Sequence, residues 1–162
     1  MADNILTQDY LCQLFDYDNG KLFWKNHRYK ALNGKQVGCN LEGYVVTAIN
    51  KKPIYNHRII FMMFHGYMPY HVDHINGIKN DNRIENLRAA SKIQNAYNRK
   101  TSKNNTSGVN GVRWDKKINR WIAKINVDGK AKYFGSFKDI ELAELVVIEA
   151  RDKYHGEFAS YS

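Results

Sequence analysis

Leu6, Tyr10, Leu11 and Leu14 recur at helical spacing, with Thr7 available as a cap, so the chain is expected to open on a short helix. "YDNGKLFW" then sets Asn19-Gly20 between apolar runs, a strong two-residue hairpin signal. "GYVVTAINKKPIYNHR" reads as a second hairpin, turning near Lys51. "HRIIFMMFHG" is apolar along most of its length and reads as a short buried helix that ends at Gly66. The pattern then breaks. "HVDHINGIKNDNRIENLR", His71 to Arg88, holds two histidines, three carboxylates and four asparagines. Behind it Ser91 is placed to cap a helix through "KIQNAY". "KTSKNNTSG" has no apolar periodicity and reads as a linker or an extended arm on DNA.

Beyond that break, "GVRWD", "RWIAKINV" and "AKYFGSF" alternate like strands, with Asp128-Gly129 as a hairpin turn. Ile140, Ala143, Val147, Ala150 and Tyr154 share one face of a helix. Charge follows the same division: residues 101–135 carry eight Lys and Arg against two Asp and Glu, residues 136–162 three against six. A three-stranded basic sheet backed by one acidic helix is the simplest picture, and it leaves one basic sheet face open. The fold class expected is α+β. A first region at 1–100, with the polar stretch and its capped helix at about 70–100, precedes a linker at 101–107 and a sheet module at 108–162.

The 162 residues suit one domain of common size or two small ones, and 43% apolar residues are enough for a core. A net charge of +9 favours a polyanionic partner, nucleic acid or an acidic membrane. No apolar run approaches the ~20 residues of a membrane span. "MADNILTQDYL" lacks the basic and apolar regions of a secretion signal, and Cys12 and Cys39 suggest neither a thiolate zinc site nor a disulfide framework. The expected compartment is a reducing cytoplasm.

The polar stretch supplies what phosphodiester hydrolysis needs. Asp73 is a hard oxygen ligand for Mg²⁺ or Mn²⁺, and His74 can accept a proton near neutral pH. Adjacent side chains on a strand point to opposite faces, so these two need a bend or loop to converge. "NGIKNDN" supplies a loop, and "IENLR" can pair back as a strand, which brings Asn86 across from His74. Asn95 lies one turn into the following helix. Other readings stay open at single positions. His71 sits near the metal or closes the strand. Arg83 and Arg88 hold a phosphate or cover the hairpin, and His57 with Arg58 are family residues or a packing and capping pair. His27, Arg28 and Lys30 look like solvated basic surface.

"VDHINGIKNDNRIENLRAASKIQNAYN" resembles the HNH homing endonucleases of phages and mobile introns, over roughly His57 to Lys100. The resemblance implies a hairpin and helix clamped on one divalent metal ion, Mg²⁺ or Mn²⁺. Asp73 and Asn95 would be its ligands, His74 the general base, and Asn86 a brace for loop and base. The family's last histidine is Asn95 here, so the protein part of the site carries one negative charge.

Ser107 to Ala159, with "GVRW", "RWIAKI", "YFGSF" and "HGEFA", resembles the plant Apetala-two/ethylene-response-factor DNA-binding domain. That family lays its sheet in the major groove. By position Arg113, Trp114, Arg120, Lys124, Asn126 and Tyr133 would meet DNA, with Trp114 either core or stacked on sugar. Asn110, Lys124, Asn126, Ala131 and Tyr133 depart from the plant pattern, so the plant target does not transfer. The two resemblances together lead to a metal-dependent, site-specific endonuclease. It would nick double-stranded DNA as a monomer, with no membrane partner. A non-catalytic DNA-binding regulator and an RNA-binding protein are the competing readings.

Overall fold

The computed structural model describes residues 6–98, 105 and 107–160. The chain forms two compact units, Met1–Ala90 and Ser91–Ser162. Positions 101–104 and 106 of the expected linker lie outside the described residues. Among the described residues no helix is long and apolar enough to cross a membrane.

The first unit opens on α1, Gln8–Leu14, where the Thr7 side chain accepts the Tyr10 N–H and ties down a free helix-end donor. β1 (Phe15–Asp18) and β2 (Lys21–Trp24) form the expected hairpin, and Asn19 and Gly20 both have positive φ. β3 (Cys39–Leu41), β4 (Tyr44–Ile49) and β5 (Lys52–Tyr55) make an antiparallel sheet in that order. Its β4–β5 turn falls at Asn50 and Lys51, where the alternation placed it. α2, Asn56–His65, ends at Gly66, whose φ of 75° is the left-handed cap that glycine adopts without a Cβ clash. Leu11, Phe15, Leu22, Ile49, Ile59, Ile60, Phe61, Val72 and Leu87 bury together, so α2 is the spine of this core. β6 (His71–His74) and β7 (Leu87–Ala90) form an antiparallel pair, joined by the polar loop and a 3-10 turn at Ile84–Asn86.

α3, Lys92–Tyr97, follows β7 in the chain but is compact with the second unit. Ser91 caps it, and Gln94 completes the reciprocal bond of a capping box. β8 (Val112–Asp115), β9 (Arg120–Val127) and β10 (Lys130–Phe137) form an antiparallel sheet in the order β10-β9-β8. α4, Ile140–His155, capped by Asp139, presses Ala143, Val147 and Ala150 against Val112, Ala123 and Ile125. Those residues are the apolar stripe and the inward strand positions expected from the pattern.

Candidate active site and nucleic-acid interface

The register of β6 on β7 sets Asp73 opposite Arg88 and His74 opposite Leu87; Asn86, expected across from His74, instead ends the 3-10 turn just before β7. Directly paired residues share a face, so Arg88 is where a cation must be to reach Asp73. Its Nε and Nη2 both donate to Asp73 Oδ2, at 2.9 and 2.8 Å, and the two side chains are largely withdrawn from water. His74 takes the other face. Its Nε2 lies 2.9 Å from Oδ1 of Asn82, a side chain only 2% exposed. An amide oxygen only accepts, so Nε2 carries the proton and Nδ1 keeps its lone pair. Burial lowers the His74 pKa against the opposing pull of the Asn82 bond and the Asp73 and Asp81 charges. The result is a neutral imidazole with one nitrogen fixed and the other basic.

The loop that carries Asn82 is built rather than slack. Asn86 Nδ2 donates to Asn76 Oδ1 at 3.0 Å and to the Asp81 carbonyl at 2.7 Å, and Asn86 Oδ1 accepts the Asn76 N–H at 3.0 Å. Asn76 and Arg83 both bind the Asp81 carboxylate, and the Arg83 bond holds Asp81 well below the usual carboxylate range. Two neighbours support the loop. Tyr17 Oη accepts the Ile84 N–H, and the β1–β2 turn comes so close that a Cβ on Gly20 would stand 2.8 Å from the Arg83 backbone nitrogen. On the other side Lys79 donates to the Glu42 carbonyl and lies over the Tyr44 ring. Asn86 thus braces the loop, and Asn82 is the residue on the His74 ring. Asn82 was not singled out in the sequence, where four asparagines in one loop look alike.

Residues 55–97 match the HNH endonuclease family. The chain is also 35% identical, over 94 residues, to "Protein 3.8" of Escherichia phage T7, an alignment covering 57% of this chain and 75% of the phage protein. The chain belongs to the HNH endonuclease family. No solved structure matches it. The matched span of the nuclease contains Asp73, His74, Asn82 and Asn86, and also Asn95, which is half-buried on α3 in the second unit.

Donor chemistry at Asp73 fits a hard cation. The carboxylate is 6% exposed and already holds a positive partner in Arg88. Among the described residues no group of three or more His, Cys, Asp or Glu gathers to hold a metal. Asp73 thus offers one carboxylate, an oxygen donor of the kind a hard cation takes.

A second histidine stands beside His74. Thr47 donates to Asn56 Oδ1 and Asn56 Nδ2 donates to the Val37 carbonyl, which pins the start of α2 to the sheet. His57, next in line, sets its ring 4.9 Å from that of His74, between Tyr44 and Tyr55. Its Nδ1 is buried, with no hydrogen-bond partner among the described residues. Burial, followed by the neighbouring His74 and Arg58, lowers the His57 pKa from 6.5 to about 3. The unfolded chain therefore binds a proton there between those two values that the folded nuclease does not. Stability rises with pH through this window and is lost as pH falls below about 6.5. Urea unfolding between pH 4 and 7 is expected to show a slope of up to about 1.4 kcal/mol per pH unit from this one group. His57→Gln is expected to flatten it; an unchanged slope would show that His57 is not buried neutral.

Arg58 is structural. It donates to the Pro69 and Tyr70 carbonyls and shapes the entry to β6. His71, half-buried, packs edge-on against Tyr70. Arg83 is taken up by Asp81 and Arg88 by Asp73.

In the second unit Tyr133 pairs with Lys124, Ala131 with Asn126, and Arg113 with Ile122. Alternation adds Arg120 to the same face, opposite Trp121, Ala123, Ile125 and Val127. Arg113, Arg120, Lys124, Asn126 and Tyr133 thus line the side turned away from α4. Trp114 does not join them. It pairs with Trp121 and meets that ring edge-on at 5.0 Å, on the helix side of the sheet. At 38% exposed it is outside the core that α4 covers.

Proposed function

We propose that this chain is a metal-dependent, site-specific DNA endonuclease of homing type that nicks one strand of a duplex. The observation that carries the reading is the bond between His74 Nε2 and Asn82 Oδ1, which leaves Nδ1 as the base on a buried strand beside Asp73. In the hydrolysis His74 Nδ1 takes the proton of the attacking water. Asn82 stays on Nε2–H throughout and holds the ring in one tautomer. As the imidazole becomes cationic, the carboxylates of Asp73 and Asp81 favour it, in the same direction as their pull on its pKa. Asp73 and, by resemblance, Asn95 would hold one divalent cation, Mg²⁺ or Mn²⁺, which when bound neutralises charge developing on the phosphate. Asn86 keeps the loop in shape around both.

The sheet face of Arg113, Arg120, Lys124, Asn126 and Tyr133 is the proposed docking surface, in line with its resemblance to the Apetala-two type domain. Phosphate contacts from its cations would position the duplex. Lys124→Ala is expected to weaken binding almost equally across DNA sequences and to flatten the log–log salt dependence by about 1. Arg113→Ala is expected to weaken binding and to leave the cleavage rate of bound substrate intact. Loss of rate at saturation with no loss of affinity would remove the docking role.

One active site per chain gives a nick by a monomer, and the expected setting is the cytoplasm of a host cell. The deciding experiment is a supercoiled plasmid bearing a candidate target, incubated with Mg²⁺, with Mn²⁺ or with chelator. Open circle formed only with metal supports the nickase. Linear product at once would mean paired active sites. Binding with no cut under either metal would hand the function to a non-catalytic DNA-binding regulator.

A further inference from the structure

Tyr97, the last residue of α3, is buried, and nothing in the cutting chemistry uses it. Its ring lies flat on that of His155, with centroids 3.7 Å apart and planes within 10°. Its hydroxyl accepts the Asp128 N–H at 2.8 Å, at the β9–β10 turn. His155 is itself buried at the end of α4, and its Nε2 lies 2.7 Å from the Asn126 carbonyl. A carbonyl only accepts, so Nε2 carries the proton and donates. Helix, phenol, imidazole and strand form one connected joint inside the second unit.

A helix of six residues has little stability of its own. The capping box fixes the first turn of α3, and the Tyr97 joint fixes its end. Asn95 lies between the two. The end of the helix that carries Asn95 is therefore tied to β9 and its turn, whose neighbouring side chains Lys124 and Asn126 line the sheet face turned away from α4.

We propose that Tyr97 is a positioning residue for the nuclease reaction: stacked on His155 and bonded to the Asp128 N–H, it fixes α3 and with it the direction of Asn95. The proposal rests on the reading of Asn95 as a cation ligand.

The test uses the full chain and reads single-turnover nicking against Mg²⁺ concentration, with DNA affinity measured separately in Ca²⁺. Tyr97→Ala is expected to raise the Mg²⁺ needed for half-maximal rate by about 10- to 100-fold, the range for residues that hold a metal ligand from behind. DNA affinity is expected to stay within about twofold, because the open sheet face is intact. Tyr97→Phe keeps the stack and is expected to recover most of the Mg²⁺ response. If the alanine variant unfolds, Tyr97→Leu keeps apolar bulk without the stack and is expected to show the same shift. A parental Mg²⁺ curve in a folded Ala or Leu variant overturns the proposal.

Asn95→Ala separates the two failures. If it moves the Mg²⁺ curve and the Tyr97 variants do not, only the positioning role is wrong. If Asn95→Ala cuts with the parental curve, the ligand reading is wrong and the proposal falls with it. Amide exchange reads the joint even without cutting. Protection over residues 92–98 is expected to fall in Tyr97→Ala while β6 and β7 stay protected, and unchanged protection overturns the joint.

Discussion

His74→Ala is expected to reduce metal-dependent nicking by about 10²- to 10⁴-fold, the span of a lost general base, with DNA binding near normal. His74 is buried on a strand held by backbone pairing, and its ring makes no part of the sheet face in the second unit. Removing it takes away the proton acceptor and leaves Asp73 and Arg88 paired on the opposite face. The measurement is the single-turnover rate on supercoiled plasmid at saturating enzyme, with the folded state checked by thermal unfolding. Asn82→Leu supplies the control for geometry. It removes the oxygen that fixes the tautomer, so the rate is expected to fall about 10- to 100-fold, less than in His74→Ala. A His74→Ala enzyme that cuts at the parental rate would end the assignment of the base. An Asn82→Leu enzyme that does so would end the claim that the tautomer is held.

Arg88→Ala is expected to cost about 3 kcal/mol of stability, because a buried carboxylate loses its paired charge. Asp73 is 6% exposed and Arg88 binds one of its oxygens twice, so water does not replace the guanidinium at low cost. The penalty is a property of the pair. Asp73→Asn in the Arg88→Ala background is therefore expected to restore part of the loss, and a double-mutant cycle by urea unfolding measures the coupling. Millimolar Mg²⁺ is expected to raise the melting temperature of Arg88→Ala more than that of the parent, because the bare carboxylate then binds the cation without competition. Simple additivity of the two substitutions would mean that the ion pair contributes nothing to the fold.

Much of the architecture was legible because it rests on local chemistry. Thr7, Asn19-Gly20, Gly66, Ser91 and Asp128-Gly129 each satisfy a cap or turn within a few residues, and all sit where the sequence placed them. β3 was not seen, since Cys39–Leu41 is exposed at every position and alternates in nothing. Asp73, His74 and Asn86 were visible as residue types in order. The partner of His74 was not, because the choice among four asparagines is made by a loop propped from the β1–β2 turn, far away in the chain. Trp114 shows the same limit on a smaller scale. A four-residue strand has two possible faces, and only its pairing with Trp121 decides between them. The Tyr97 joint depends on a histidine 58 positions later, a contact no local pattern encodes.

The contact at Gly20 bears on how this catalytic apparatus can be moved between proteins. Residues 55–97 hold Asp73, His74, Asn82, Asn86 and Asn95, yet the prop for the Asn82–Arg83 backbone and the hydroxyl that takes the Ile84 N–H come from the β1–β2 hairpin. A graft of the family-matched span alone onto a new DNA-binding scaffold would carry all the letters of the active site with a loosened histidine. A transplantable cutting module would have to begin upstream of Phe15 and run on through α3 and the unit that holds it, so for protein engineering the working unit is larger than the motif by which it is found.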